Sequence, residues 1–248
     1  MSKILETNGL TVEFSGFSAI SDLHFSLNRG ELRVVLGPNG AGKTTLMDLI
    51  TGKTKPKSGN IMFNGNDITG MEPFDISKLG VGRKFQGPNI FDNMTVIENI
   101  EVAFKGNHSV LKALFFKKNS EMKDRINYVL DKINLKIKYR DIAGNLSHGE
   151  KQWLEMGMLL VQDPELIILD EPTAGMTAEE TYQTGELIQN LFKDRSVIVV
   201  EHDMAFVRQV AQYVTVLHQG RLLAEGTLEE IENNTKVQEV YLKEGAHA

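Results

Sequence analysis

Gly37, Pro38, Asn39, Gly40, Ala41, Gly42, Lys43, Thr44 and Thr45 run in succession, and they meet every fixed position of the phosphate-loop pattern G-x-x-x-x-G-K-[ST]. The residues before the loop, Leu32-Arg-Val-Val-Leu36, are short, apolar and β-branched, bounded upstream by Gly30, and predict a buried strand. Those after it, Thr45-Leu-Met-Asp-Leu-Ile50, predict a helix that stops at Gly52. A glycine-rich turn between a strand and a helix lets successive N–H groups converge on a phosphate, and the helix start adds its positive dipole end. Lys43 would reach the β- and γ-phosphates, and the Thr44 hydroxyl would bind Mg²⁺. This much predicts a site for a nucleoside triphosphate, and the class of protein has to come from the rest of the chain.

The 248 residues suffice for one large domain or two small ones, and a hydrophobic content of 41% is ordinary for a globular chain. No apolar run approaches the ~20 residues that span a bilayer. The start, Met1-Ser-Lys-Ile-Leu-Glu-Thr-Asn, has no signal-peptide core, so the cytoplasm is the expected location. With no cysteine, disulfides and thiolate metal sites are excluded. Twenty-seven basic against 33 acidic residues leave a net charge of −6, which argues against a nucleic-acid partner. No internal repeat and no low-complexity linker is visible.

Residues 8 to 28 read as antiparallel strands, with Leu23, Phe25 and Leu27 alternating with His24 and Ser26. Phe14 and Phe17 precede that alternation and have two readings, core packing or a platform for an adenine ring. Gly59 to Gly65 suggest a hairpin, Pro73 to Leu79 one or two helical turns, and Gly80 to Gln86 a strand. Residues 95 to 139 read as helical, led by Thr95 as N-cap. Within them Phe115-Phe116-Lys117-Lys118 mixes aromatic and basic character and fits a solvated loop better than a membrane contact. Ser147 followed by Glu150 is a capping-box spacing that opens a helix to about Gln162, stopped by Asp163-Pro164. An exposed helix start is also an anion site.

Glu165-Leu-Ile-Ile-Leu169-Asp170-Glu171 reads as a buried parallel strand ending in two carboxylates. Asp170 would hold Mg²⁺ together with Thr44, and Glu171 would polarise a water. A helix over 178–193, a buried strand Ser196 to Glu201 and a hairpin turning at Gln219-Gly220 follow, and the tail from Thr227 reads as mixed helix and coil. The second strand delivers His202 to the carboxyl edge that carries Asp170 and Glu171, the edge where open α/β sheets bind ligands.

The order of phosphate loop, Gln86, Leu146-Ser-His-Gly-Glu150, Leu166-Ile-Ile-Leu-Asp170-Glu171 and His202 resembles the ATP-binding-cassette ATPase subunit of membrane transporters over essentially the whole chain. Gly82-Arg-Lys-Phe-Gln86, Leu146-Ser-His-Gly-Glu-Lys-Gln-Trp-Leu-Glu155, Ala174-Gly-Met-Thr177 and Glu201-His-Asp-Met-Ala205 resemble the urea and branched-chain amino-acid importer branch, the urea type most of all. The resemblance implies an α/β fold: a phosphate-loop NTPase core with a mostly parallel sheet, an N-terminal antiparallel β-subdomain and an inserted helical subdomain. It would be a single cassette over 1–248, with the helical part at about 88–164. Phe14 would then stack on adenine, and Gln86 would contact Mg²⁺ or the attacking water and sense the membrane partner. Glu171 would be the general base and His202 the γ-phosphate switch. Ser147 and Gly149, with Glu150 at the same helix tip, would meet ATP held by a second, identical or related ATP-binding subunit.

The partners so implied are transmembrane permeases, that second cassette and, indirectly, an extracytoplasmic solute-binding protein, with the chain peripheral on the cytoplasmic face of the membrane. Two positions depart from the family pattern. His148 and Glu150 stand where a glycine and a glutamine are usual, so the Glu150 carboxylate is expected to point away from phosphate, and Thr177 stands where an Asp is common. Two other classes compete. A soluble cassette ATPase outside transport usually carries two cassettes or a long coiled coil, and a phosphate-loop kinase of small metabolites would need no signature helix.

Overall fold

The computed structural model describes residues 2–84, 87, 89–104 and 120–245. It divides into two compact units, one made of Met1–Arg83, Glu165–Glu171 and Phe192–Ala248, the other of Lys84–Pro164 and Pro172–Leu191.

The first unit opens on two long antiparallel strands, β1 (Lys3–Phe14) and β2 (Phe17–Asn28). Ser15 and Gly16 join them, both at positive φ (49° and 83°), the backbone of a two-residue hairpin whose twist suits its strands. The same device recurs twice. Asn64-Gly65 (φ 50° and 76°) turn β4 (Ser58–Phe63) into the short β5 (Asn66–Asp67), and Gln219-Gly220 (φ 49° and 72°) turn β9 (Tyr213–His218) into β10 (Arg221–Gly226). The first four of these strands form an antiparallel sheet in the order β2-β1-β4-β5. The expected hairpins are all present, and β1 begins several residues earlier than the alternation in the sequence indicated.

The second sheet has the order β10-β9-β3-β8-β7-β6, with β3 (Leu32–Leu36), β6 (Val81–Lys84), β7 (Leu166–Asp170) and β8 (Ser196–Val200). Strands β7, β8, β3 and β9 run parallel, and every residue of β3, β7 and β8 is buried, as continuous apolar runs require. Helix α1 (Lys43–Ile50) lays Leu46, Met47, Leu49 and Ile50 into one core with Ile20, Phe63, Ile168 and Ile198. Burying each such side chain stabilises the fold by about 1.5–3 kcal/mol before entropy is counted. Helices α2 (Pro73–Leu79), α7 (Met204–Val210), α8 (Leu228–Glu232) and α9 (Thr235–Gly245) complete the unit. Because β3, β8 and β7 are parallel neighbours, their carboxyl ends open on one edge.

The second unit is helical: α3 (Val96–Ala103), α4 (Ser120–Lys132), α5 (His148–Val161) and α6 (Ala178–Leu191). Thr95 caps α3 as the sequence predicts, and Glu98 completes a capping box with it. The helical reading of residues 95 to 139 needs correction at its end. Asn134 takes φ 58° and Leu135 N–H donates to Leu130 O at 3.0 Å, a left-handed termination that ends the helix before residue 134. The Phe115 to Lys118 cluster lies outside the described residues. Gly157 on α5 lets neighbours close in, since a Cβ there would stand 2.7 Å from Ile133 Cδ1 and 3.0 Å from Ile100 Cδ1. Trp153 Nε1–H donates to Thr184 Oγ1 at 2.9 Å and so ties α5 to α6.

Candidate functional site

The loop between β3 and α1 is shaped as its glycines predict. Gly40 and Gly42 sit at φ 78° and 101°, and a Cβ on Gly42 would come 2.9 Å from the Ala19 carbonyl oxygen. The Lys43 ammonium folds over the loop and donates to Gly37 O at 2.6 Å and Pro38 O at 3.0 Å. Helix α1 starts on Gly42 without any side-chain cap, so no side chain of its own satisfies its first N–H groups. Positive charge, uncapped donors and an open turn fit a phosphate chain.

A cleft of about 330 Å³ lies against this loop, lined by residues 39–45, Phe14, Phe17, Ala19 and Glu171. Phe14 and Phe17 face each other across the β1–β2 turn and are 49% and 68% exposed. That exposure removes core packing as their role and leaves two aromatic faces beside the loop, the arrangement a base needs for stacking.

On the strand edge, Asp170 ends β7 in register with Val200 of β8. Glu171 follows at φ 46°, a left-handed backbone uncommon for a glutamate, held by its N–H donating to Val200 O at 2.9 Å. Such a conformation costs on the order of 1–3 kcal/mol and breaks the strand alternation, and Glu171 lines the cleft. His202, one residue past Glu201 beyond β8, is 70% exposed in its side chain, with Nδ1 3.8 Å from Glu171 Oε1. The buried Glu201 carboxylate fixes the turn by accepting the His202 N–H at 2.9 Å. Asp203 then caps α7 by accepting from Ala205 N–H and Phe206 N–H. The first unit therefore brings together Phe14, the phosphate loop, Asp170, Glu171 and His202. Gln86 lies outside the described residues.

Ser147, Gly149 and Glu150 belong to the second unit and form a group of their own. Ser147 Oγ accepts the Glu150 N–H at 3.2 Å, and the Glu150 carboxylate accepts the Ser147 N–H at 3.0 Å. Glu150 Oε1 also takes the Lys138 ammonium at 2.6 Å. Partial burial pushes this carboxyl up, but Lys138 and the Ser147 donors outweigh it and hold it below its usual value. Its charge is thus spent on the helix cap and a lysine.

His148 uses Nε2 against Ala174 O at 2.9 Å, and its ring packs on Gly175, so the tip of α5 touches the loop that leads to α6. A Cβ on Gly149 would lie 2.7 Å from Glu180 Oε1, so a larger residue there would make that carboxylate shift. Thr177 caps α6 in exchange with the same Glu180.

Two charged groups escaped sequence reasoning. Arg83 on β6 donates to Asp170 Oδ2 at 2.8 Å and to Asp48 Oδ1 at 2.6 Å. Lys84 and Glu155, both buried, pair at 3.5 Å. Burial pushes the Glu155 carboxyl above its usual range against the pull of Lys84 and the Asn89 N–H. The available signal was two adjacent cations in a strand too short and too buried to expose both.

The family model described as ABC transporter matches residues 20–174. The high-affinity branched-chain amino acid transport ATP-binding protein LivG of Salmonella typhimurium is 37% identical over 97% of this chain and 98% of its own length. BraF of Pseudomonas aeruginosa, with the same description, is 35% identical over 97% and 98%. Among solved structures, a nucleotide-free ATP-binding cassette from an ABC transporter superposes with a TM-score of 0.84 at 32% identity, covering 96% of this chain and 98% of that one. The ADP conformation of another such cassette gives 0.85 at 31%, covering 98% and 99%. A phosphate loop, an acidic strand end and a histidine on one sheet edge, with kinship along almost the full length, place the chain in the ATP-binding-cassette transporter family.

Proposed function

We propose that this chain is the ATP-hydrolysing motor subunit of an importer for a small polar solute, a branched-chain amino acid or urea. The observation that carries the reading is the shared cleft in which Lys43, the exposed Phe14 ring and the Glu171 carboxylate meet. Phe14 stacks the base, the loop N–H groups and Lys43 hold the phosphates, and Glu171 takes a proton from the attacking water while His202 contacts the γ-phosphate. Catalysis comes mainly from positioning and charge neutralisation.

Thr44 and Asp170 fit Mg²⁺, a hard cation that takes few protein oxygens and keeps phosphate and water ligands. Among the described residues no group of three His, Cys, Asp or Glu could hold a metal ion, and the Thr44 hydroxyl and Asp170 carboxylate would share the ion with the phosphates. When bound it neutralises charge on the β- and γ-oxygens. Ser147, at the capped start of α5, meets ATP held by a second cassette. Permeases pass the resulting motion to the solute path, with a solute-binding protein on the far side.

No helix among the described residues is long and apolar enough to cross a membrane, and the chain works at the cytoplasmic face through those permeases. The kinship to LivG and BraF supports the amino-acid side of the solute class. The test is ATPase activity of the chain reconstituted with its permeases and binding protein. Stimulation by leucine, isoleucine or urea is expected, and activity indifferent to every such solute would count against an importer.

A further inference from the structure

Arg83 joins two elements on which the proposed Mg²⁺ site depends. Its side chain, 4% exposed, extends from β6, with Nη2 donating to Asp170 Oδ2 at 2.8 Å and Nη1 to Asp48 Oδ1 at 2.6 Å. Nη1 also lies 3.3 Å from Thr51 Oγ1. Asp48 stands on α1 four residues after Thr44, so the two share one helix face. The guanidinium therefore spans from the helix that begins with the Thr44 hydroxyl to the strand that ends in the Asp170 carboxylate. It is planar and forked, and it can donate to two carboxylates from different nitrogens at once, which a lysine ammonium on a flexible stem does less well.

We infer that Arg83 is a positioning residue for the divalent cation. It occupies Oδ2 of Asp170 and presents Oδ1 to the ion, and through Asp48 it fixes that carboxylate relative to α1. The inference rests on the ATPase reading above. The Asp170 side chain is only 7% exposed, and a carboxylate so placed needs a counter-charge before any metal arrives. Arg83 supplies it and also removes the freedom of the carboxylate to rotate away. Partners that hold a metal-binding carboxylate from behind typically affect metal affinity tenfold to a hundredfold.

The experiment measures binding of a fluorescent ATP analogue to the full purified chain, in EDTA and across a Mg²⁺ titration, for wild type, Arg83→Met, Arg83→Lys and Asp48→Asn. In EDTA the nucleotide is held without the ion, so affinity is expected to stay at the wild-type value in all four. With Mg²⁺, the half-saturating concentration for tight binding is expected to rise roughly tenfold to a hundredfold in Arg83→Met. Arg83→Lys should recover part of that shift, and Asp48→Asn should move the same way by less. An unchanged Mg²⁺ half-saturation, or an equal loss with and without Mg²⁺, would reduce Arg83 to a structural residue and overturn the inference. If Arg83→Met does not fold, Arg83→Lys and Asp48→Asn decide between the same two outcomes. Wild type that binds nucleotide with no response to Mg²⁺ would overturn the functional reading together with the inference. A responsive wild type with variants whose Mg²⁺ half-saturation matches it overturns the inference alone.

Discussion

Glu171 Oε1 lies 3.8 Å from His202 Nδ1, across the ends of the neighbouring parallel strands β7 and β8. The carboxylate is carried there by a left-handed residue, and the imidazole by a turn that the buried Glu201 fixes. At this separation the two groups are too far apart for a hydrogen bond, and Glu171 also lines the cleft beside Lys43. Replacing His202 by Ala should leave nucleotide affinity in place and lower hydrolysis by roughly a hundredfold to a thousandfold, the usual loss when one preorganised donor to a developing charge is removed. Steady-state phosphate release set against equilibrium nucleotide binding checks this, and wild-type turnover in His202→Ala would remove the histidine from the chemistry.

Lys43 rests on the Gly37 and Pro38 carbonyls, which hold the ammonium over the loop. Its gain on binding is one set of charge-assisted hydrogen bonds, about 1.5–3 kcal/mol net. Lys43→Ala should therefore weaken ATP binding by roughly tenfold to a hundredfold, read by calorimetry. Adenosine, which has no phosphate, should bind both forms alike.

Glu150 gives a pH signature to the tip of α5. Its carboxyl is held below its ordinary value, so its contribution to stability is full above pH 4.5 and is lost as the pH falls through the lower folded value. Gln keeps the capping box but lacks the charge that meets Lys138. Thermal midpoints of wild type and Glu150→Gln should converge on acidification below about pH 5, with wild type higher at neutral pH. Parallel curves would show that the Lys138 pair contributes nothing.

Lys84 and Glu155 form a buried pair, with Glu155 also accepting the Asn89 N–H. Lys84→Met strands a carboxylate in the interior and should cost about 3–5 kcal/mol in urea unfolding, whereas Lys84→Met with Glu155→Gln should recover most of it. Burial already raises the Glu155 carboxyl, so protonation favours the folded form, and the single variant should regain stability as pH falls from 7 towards 5. Additive single effects would contradict the coupling.

What the sequence disclosed and what it concealed follow physical lines. The phosphate loop was legible because its chemistry needs glycines and one lysine at fixed spacing within one short stretch, and β3, β7 and β8 because full burial demands unbroken apolar runs. The cap at Ser147 was legible because a capping box has a three-residue spacing, and the cap at Thr95 because threonine favours an N-cap. Arg83 and Lys84 were not, because their partners Asp48, Asp170 and Glu155 are remote in the chain and only the fold joins them. Phe14 was ambiguous, since a lone phenylalanine beside a strand is usually core, and its exposure argues only against that core reading. The end of α4 at Asn134 was hidden in a run of good helix formers, where one left-handed residue suffices to stop the helix.

The most direct test of the account counts bound nucleotide and released phosphate in the same sample of Glu171→Gln, assembled with its partners and given labelled ATP and Mg²⁺. The amide keeps the shape of the side chain and cannot take the proton of the attacking water. The account predicts ATP retained near one per site with phosphate release down by at least roughly a hundredfold. Phosphate release equal to wild type would contradict it.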